Sequence, residues 1–161
     1  MTLDQLTQAL AASGPPEAAL TAIDAASAAL IGHCLFTVLV VDEARGVRRR
    51  FHSSRPAEYP VGGFKPIPAE SEYFRTIVTA GEPRFCHDRD DIIRTFDDHA
   101  LILSLGCESA VNMPIRWNGR TLGAMNLLNA ARHYNQTHLP ILRLLAALSV
   151  APLLCILEAG D

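Results

Sequence analysis

The side chains best suited to covalent or acid–base chemistry in this sequence are four cysteines and six histidines, because thiolates and imidazoles act as nucleophiles and bases. The only Cys-His pair is Cys86-His87, which Asp88 follows. An imidazole beside a thiol can lower the thiol's pKa and make it nucleophilic. Neighbouring side chains on a strand point to opposite faces, however. We therefore interpret Cys86 as a packed thiol, His87 as a loop residue and Asp88 as a helix cap, and we assign no catalytic residue.

The histidines and cysteines also lack the spacing of a metal site. No two cysteines form a CxxC knuckle, and no two histidines stand one helical turn apart. His87, His99 and Asp98 could gather near a pocket, and His133 and His138 flank a loop. Without ligand-like spacing, these groups do not support a metal centre, and we predict none.

Arginine is the dominant cation, because thirteen of the fourteen basic residues are Arg and the other is Lys65. A cluster of guanidinium groups can bind an anionic ligand or partner. Charges along a strand can equally protect a sheet edge from pairing with another sheet, and we favour that interpretation. Arg48 and Arg50 point to one face of their strand and Arg49 to the other, so the three cannot serve one site. The densest patch contains Arg45, Arg48, Arg49, Arg50 and Arg55.

Aromatic residues concentrate in the middle of the chain, where they could line a ligand pocket or fill an ordinary core. The first and last helices contain none, and this concentration favours a pocket. Asn112 and Asn126 interrupt apolar runs, where a buried amide either ties down a neighbouring loop or helix end or reaches a ligand. Of the two, Asn112 is the better candidate for a ligand contact. The aromatic set is Tyr59, Phe64, Tyr73, Phe74, Phe85 and Phe96.

The composition is that of a globular domain of 161 residues, 49% of them apolar, which can bury a core without disulfides or metals. A formal net charge of -3 gives no general attraction for nucleic acid. The cysteines form no disulfide framework, and the first residues lack the pattern of an export signal. We therefore expect a cytoplasmic protein.

The segment 139–157, LPILRLLAALSVAPLLCIL, is about as long as a membrane span. Arg143, Ser149 and Pro152 interrupt it, and no basic or aromatic flanks mark an orientation. We therefore predict a buried helix that packs on the sheet, and no membrane partner. Because its polar residues are few, both of its faces need burial, one on the sheet and one on a second copy of the chain.

These residues must be positioned by elements that follow from the hydrophobic pattern. The pattern predicts helices at both ends and two strand hairpins, of which the second turns at Asn118-Gly119 with type I′ geometry. In the middle it predicts a loop over 55–68, a helix opened by Ser71, a short strand PRFC and a helical stretch broken near Asp97 and Asp98. The closing helix is expected from about Thr137, which could cap it.

This order predicts an α+β fold: a mostly antiparallel central sheet with the N- and C-terminal helices on one face, and the middle helices plus the long loop on the other. The second face could enclose a cavity. We place an N-terminal helical extension at 1–14 and a domain core at 15–157, within a single domain over 1–161.

The run SAVNMPIRWNGRTLGAMNLLN, followed by HYNQTHLPILRLLAALSVAPL, resembles the C-terminal half of a GAF domain. GEPRFCHDRDD resembles that family's G-x-P-x-x-x-x-D segment, with matches at Gly81, Pro83 and Asp88. The resemblance covers roughly residues 16–157. It implies a module that senses a small molecule in a pocket between the sheet and the middle helices, and that dimerises through its first and last helices.

Known groups within the family fit the sequence unequally. The cyclic-nucleotide motif of the NKFDE type is absent. The position of the bilin-contacting histidine falls on His99, but Asp98 precedes it where the phytochrome group has cysteine, so a covalent bilin is not expected. The group of free methionine sulfoxide reductases uses reactive cysteines, for which Cys86 and Cys107 are the candidates, although Cys107 lacks that group's surrounding sequence.

We therefore predict a sensory or regulatory domain that binds an unidentified small molecule non-covalently, forms a homodimer and acts on a separate effector protein. The alternatives are a thiol-based enzyme and a dimerisation scaffold without ligand. The candidate ligand-binding residues are Tyr59, Phe64, Tyr73, Cys86, His87, Phe96, His99, Ser109 and Asn112.

Overall fold

A six-stranded sheet lies at the centre of the computed structural model, which describes residues 1–160. Every neighbouring pair of strands is antiparallel, and the strand order across the sheet is β3-β2-β1-β6-β5-β4. The predicted α+β fold with an antiparallel sheet is confirmed. The strands are β1 (Leu35–Asp42), β2 (Val47–Ser53), β3 (Lys65–Pro66), β4 (Arg84–Cys86), β5 (Ser109–Trp117) and β6 (Arg120–Asn129).

The two hairpins form where turn residues separate apolar runs. Asn118 and Gly119 have positive φ angles of 49° and 75°, as the predicted type I′ turn requires. β1 lies between β2 and β6, so the strand with the densest β-branched run becomes central. β2 is not a free edge throughout, because β3 pairs with Val47 and Arg48.

The terminal helices cover one face of the sheet, here called the helix face. Its core contains Phe36 and Val38 from β1, Leu127 from β6, and the inward residues Leu20 and Leu145 of the covering helices. This confirms the predicted placement. The helices are α1 (Leu3–Ala11), α2 (Pro16–Leu30), α5 (Leu139–Leu148) and α6 (Val150–Ala159).

The closing helix differs in detail from the prediction. Asn135, not Thr137, accepts the capping hydrogen bond, and a short 3-10 turn, Gln136–His138, precedes α5. α5 and α6 meet at Ser149, whose hydroxyl donates to the Leu145 carbonyl oxygen. The combined segment Gln136–Ala159 is long and apolar enough to cross a membrane by length and composition, and its inward leucines pack on the sheet.

The opposite face, here called the cavity face, is covered by short elements. A π-helix (Phe74–Ala80) replaces the predicted α-helix, and Thr121 anchors its end by donating to the Val78 carbonyl oxygen over 2.7 Å. The helical stretch is interrupted by Asp97 and Asp98, as predicted, into α3 (Arg89–Thr95) and α4 (His99–Ser104). The long loop contains β3, which the four prolines of 55–68 obscure in the sequence.

Candidate functional site

A cavity of about 480 Å³ lies between the cavity face and the elements that cover it. Strands β1, β5 and β6 form its floor, β2 and the loop through Gly62 form one side, and the start of the π-helix and the α3–α4 junction form the rest. Its position agrees with the prediction that the irregular loop and middle helices enclose a space against the sheet.

A row of hydrogen-bonded polar side chains crosses the floor. Arg84 Nε donates to Asn112 Oδ1 over 3.0 Å, Asn112 Nδ2 donates to Asn126 Oδ1 over 2.7 Å, and Asn126 Nδ2 donates to Thr37 Oγ1 over 3.1 Å. Each member lies directly opposite the next on neighbouring strands. This row, here called the polar ladder, joins β4, β5, β6 and β1.

The polar ladder answers the question of why two apolar strands contain asparagine. Asn112 and Asn126 are 2% and 5% exposed, and a buried amide without partners would cost about 1–3 kcal/mol. Each satisfies the other, so the pair first serves the fold. Both also line the cavity, so their remaining hydrogen-bonding capacity faces the space where a ligand would lie.

Arginine side chains form much of the cavity's side. The Arg48 guanidinium lies 4.5 Å from the centre of the Tyr73 ring, and the Arg50 guanidinium lies 3.7 Å from that of Tyr59. Such stacking holds a guanidinium by its attraction to the aromatic face. Arg49 lies over Phe51, away from the cavity. The predicted alternation is thus observed. Arg48 and Arg50 line the cavity, a position that the favoured interpretation as edge protection did not include.

Arg84, from the edge strand β4, completes this group. Its guanidinium lies 5.7 Å from the ring centre of Tyr73 and 5.6 Å from that of Phe96, and its side chain is only 10% exposed. Burial lowers the pKa of Arg84, although the nearby Glu72 carboxylate, at 3.6 Å, acts in the opposite direction. Because Glu72 is largely exposed, water weakens that ion pair.

Four of the nine predicted ligand-binding residues line the cavity: Tyr59, Tyr73, Phe96 and Asn112. Their surroundings differ from the expectation, because the three rings stack on arginine guanidiniums. Tyr59 also donates its hydroxyl to Asp98, and burial followed by that hydrogen bond raises the pKa of Tyr59. Direct contact of these four with a ligand stays a prediction.

The other five predicted residues lie outside the cavity lining. Phe64 is on the outer side of β2, under Arg45. Cys86 is in an apolar cluster beside the cavity but does not line it, and the His87 ring stacks on Phe85. His99 bonds to the Phe96 carbonyl oxygen beside a shallow surface depression. Ser109 points to the opposite side of its strand from Asn112 and donates to the Ala130 carbonyl oxygen. Period-two alternation predicts this separation of Ser109 from Asn112.

Several cavity residues were missed by the sequence interpretation. Arg84 and Thr37 were not considered, and Arg48 and Arg50 were assigned to another role. The available signal was the period-two alternation of strand residues. It places Arg48 and Arg50 on the same face of their strand, and in the structure both line the cavity with Asn112. What sequence could not supply was the register that places Arg84 and Thr37 at the two ends of the polar ladder.

The buried thiols are poorly suited to nucleophilic chemistry. Burial raises the pKa of Cys86 and raises that of Cys107 to about 11, so both are protonated near neutral pH. The Cys86 thiol also contacts the Thr95 hydroxyl at 3.4 Å and does not line the cavity. Within residues 1–160, no group of three or more His, Cys, Asp or Glu side chains is arranged to hold a metal ion.

Comparison with known families gives one clear match: a family model described as "GAF domain" matches residues 12–150. That range includes the whole sheet and every residue of the cavity lining. A comparison with curated proteins found no match.

Solved structures share the fold at low sequence identity. The chain is similar to the GAF domain of a phosphoenolpyruvate-protein phosphotransferase from Coxiella burnetii, with a TM-score of 0.75, 17% identity, and coverage of 98% of this chain and 94% of the other. Residues 122–287 of a methyl-accepting chemotaxis protein match with a TM-score of 0.72 and 19% identity, over 95% of this chain and 96% of the other. The free methionine-R-sulfoxide reductase of Neisseria meningitidis, solved with its substrate, matches with a TM-score of 0.64 and 17% identity, over 98% of this chain and 89% of the other.

Proposed function

The chain belongs to the GAF domain family, and from that premise we propose that it is a sensory or regulatory domain that binds a small molecule non-covalently in the cavity and signals as a homodimer. The observation that carries this proposal is the cavity of about 480 Å³ above the polar ladder. Its size is typical of small-molecule sites, which occupy roughly 300–1,000 Å³ and place a few polar groups in a concave setting.

Binding would act by shifting the population between two packings of the same elements. A ligand in the cavity would order the loop 55–68. This loop already contacts the cavity wall, because the Arg50 guanidinium donates to the Pro60 carbonyl oxygen over 2.7 Å. The floor strands β1, β5 and β6 carry the helices on their other face. A change in strand spacing therefore reaches α5 and α6 by direct packing.

The dimer is proposed to form through the terminal helices, where the closing helix has apolar residues on both sides. Leu142 and Leu153 face the sheet and are fully buried, whereas Leu144 is 41% exposed. An outward stripe of small and apolar residues continues from Leu144 at helical spacing, and a second copy with the same stripe is its natural cover. The stripe contains Leu144, Ala147, Ala151 and Cys155.

The thiol-enzyme alternative has less support in this structure. Its two candidate nucleophiles, Cys86 and Cys107, are buried thiols with raised pKa values, and neither lines the cavity. The structural similarity to a reductase is at 17% identity and concerns the fold. Cytoplasmic localisation, a separate effector and the absence of nucleic-acid and membrane partners stay predictions.

Ligand binding is tested by native mass spectrometry of freshly purified protein, followed by thermal-shift screening with nucleotides, carboxylates and amino acids. We expect a retained or added small molecule that raises the melting temperature. Leu39→Trp, which fills the cavity from β1, should abolish that rise. The ligand-free scaffold becomes the better account if no compound is retained and none stabilises the protein.

The dimer is tested by sedimentation velocity. We expect a dimer that Leu144→Glu converts to monomer, because a carboxylate in an apolar interface loses its hydration. Leu101→Glu is the matched control, since Leu101 on α4 is 39% exposed but lies on the other face of the sheet. A monomeric parent protein, or flotation of the chain with lipid vesicles through the same stripe, would contradict the dimer.

A further inference from the structure

We propose that the small molecule is an anion whose carboxylate or phosphate group is held between the guanidinium groups of Arg48 and Arg84. This rests on the proposed small-molecule function and names the chemical class of its ligand. It assigns the arginines of the cavity, rather than the aromatic residues, as the groups that determine what binds.

The charge around the cavity is the first support. Five basic residues line it against three acidic ones, and the acidic ones are engaged or exposed. Asp98 accepts the Tyr59 hydroxyl, Glu72 is 60% exposed while pairing with Arg84, and Asp97 is exposed. The basic residues are Arg48, Arg50, Lys65, Arg84 and Arg94. Lys65 is exposed and Arg94 pairs with Asp91, so the positive charge of the cavity wall comes mainly from the other three arginines.

The second support is that Arg48, which lines the cavity, has no acidic partner in the described part of the chain. Within residues 1–160, the Arg48 guanidinium has no carboxylate within 4.0 Å. The Arg48 side chain is half-buried and lines the cavity. A partly buried charge without an opposite charge beside it costs free energy. A bound oxyanion would accept from the Arg48 guanidinium and offset that cost.

The third support is geometric. Arg48 and Arg84 stack on the same Tyr73 ring, so the separation of their guanidinium carbons cannot exceed the sum of the two ring distances. The Arg84 side chain is fixed further by Phe96 and by its Nε donation to Asn112. The guanidinium is therefore held in one orientation. Its Nη1 lies 3.6 Å from the exposed Glu72 carboxylate, which a ligand carboxylate or phosphate would replace as the partner of the two terminal nitrogens.

These features also explain why the floor is polar. The polar ladder fixes Arg84 through Asn112, and Asn126 and Thr37 fix Asn112 in turn. A guanidinium already held in place loses less conformational entropy when it binds an anion. We assign Asn112 and Asn126 as positioning residues for Arg84, and Arg48 and Arg84 as the residues that contact the anion.

The experiment measures affinity by isothermal titration calorimetry on the full chain with succinate and with inorganic phosphate, each at constant ionic strength. Succinamide is the control ligand, because it has the carbon skeleton of succinate without its charges. The two anions distinguish a carboxylate source from a phosphate source. The variants are Arg48→Gln and the matched control Arg49→Gln, which removes the same charge from the other side of the same strand.

We expect at least one of the two anions to bind and succinamide not to bind. Arg48→Gln should weaken anion binding by about tenfold or more, the loss expected for one charged hydrogen-bonding partner. Arg49→Gln should change it less than about twofold, because Arg49 lies on the other side of the strand, away from the cavity, and salt screens distant charges. Arg48→Lys should recover part of the affinity, because the charge remains and the fork is lost.

Equal binding of succinamide and succinate would overturn the anion assignment, as would equal losses in Arg48→Gln and Arg49→Gln. Binding of a neutral compound that Leu39→Trp abolishes would overturn it while leaving the small-molecule function in place. If no compound of any class binds the parent protein, the inference and the proposed function fail together. Far-ultraviolet circular dichroism of each variant identifies any loss that arises from unfolding.

Discussion

The two faces of the sheet are built from alternate residues of the same strands, yet they have opposite characters. On β6, Met125 and Leu127 enter the apolar core under the helices, while Asn126 between them joins the polar ladder. On β1, Phe36 and Val38 pack with the helices, while Thr37 ends the ladder. The helix face stabilises the fold through close apolar packing, whereas part of the cavity face consists of polar side chains held in fixed orientations by hydrogen bonds.

The difference teaches where the molecule tolerates change. The helix face is built from fully buried apolar side chains such as Phe36, Leu127 and Leu145, so lost or added atoms there cost close contacts. On the cavity face, side chains already border open space, and the constraints are hydrogen bonds. Substitutions matched between the two faces therefore test the comparison directly.

The largest effect is expected for Gly123→Ala, where β6 passes under α6. A Cβ at Gly123 would overlap the Leu39 carbonyl oxygen and approach Leu153 Cδ2 to 2.7 Å. We expect a loss of more than about 4 kcal/mol in the free energy of unfolding, or no folded protein. Gly14→Ala is the control, because its Cβ would meet only Ala18 at 3.6 Å. Urea unfolding with near-parent stability in Gly123→Ala would break the assignment of this face as closely packed.

The next effect compares two adjacent leucines. Leu127 belongs to the helix-face core and Leu128 borders the cavity. Leu127→Ala should cost about 3–5 kcal/mol, because it leaves a new cavity in a packed core. Leu128→Ala should cost about 1–2 kcal/mol less, because it enlarges an existing one. Equal losses in urea unfolding would show that the two faces are packed alike.

A smaller effect is expected from cutting the polar ladder. Asn126→Leu removes the acceptor of Asn112 Nδ2 and the donor to Thr37, so two polar groups lose a partner. We expect a cost of about 2 kcal/mol in the free energy of unfolding. Met125→Leu, one residue away on the helix face, should cost less than about 1.5 kcal/mol because it nearly conserves volume. A reversed order would sink the claim that hydrogen bonds dominate the cavity face.

The smallest effect concerns a polar cluster at the helix face. Asp24 on α2 is contacted by His33 Nε2 at 2.9 Å and His52 Nε2 at 2.8 Å. Burial raises the pKa of Asp24, but the hydrogen bonds to the two histidines outweigh it and leave the pKa below its usual value. A carboxyl with a lowered folded-state pKa stabilises the fold above its unfolded pKa of about 3.9, and this contribution is lost as the pH falls through the folded value.

Unfolding of the parent and Asp24→Asn proteins between pH 6 and pH 2.5 would measure this contribution. The difference in the free energy of unfolding between them should shrink as the pH falls below about 4. Curves that stay parallel over the whole range would contradict the linkage. Such a result would mean that the ionisation of Asp24 does not stabilise the fold, and that the helix face differs from the cavity face by relying on apolar packing alone.

The fold was predictable because its signals are local. Asn118-Gly119 specifies its hairpin, the apolar run of β1 predicts a central strand, and Asp97-Asp98 interrupts the middle helices as expected. The π-helix and β3 were missed because neither has a distinct local signature. Both Thr137 and Asn135 are residue types favoured as helix caps. Which of them caps the helix depends on where the backbone becomes helical, and the sequence does not specify that residue.

The site was predictable only where one strand's alternation sufficed. Asn112 was named as the better candidate for a ligand contact and lines the cavity. Ser109 was included with it as a candidate, although alternation puts the two residues on different faces of the strand. Arg84 becomes visible only through its pairing with Asn112 across two strands. The aromatic residues were recognised as cavity components, while their stacking on guanidiniums depends on side-chain packing that no spacing encodes.

The strand order has a further consequence for how the chain acquires its structure during synthesis. β1 pairs with β2 soon after both are made, but its other edge waits for β6, with Leu35 opposite Leu128. Until residues 120–129 leave the ribosome, a strand that is apolar on both faces has one open edge. Long-range pairing of this kind is slow and exposes nascent chains to aggregation. The same central position that makes β1 the common wall of core and cavity leaves one of its edges unpaired until the last strand of the sheet is made.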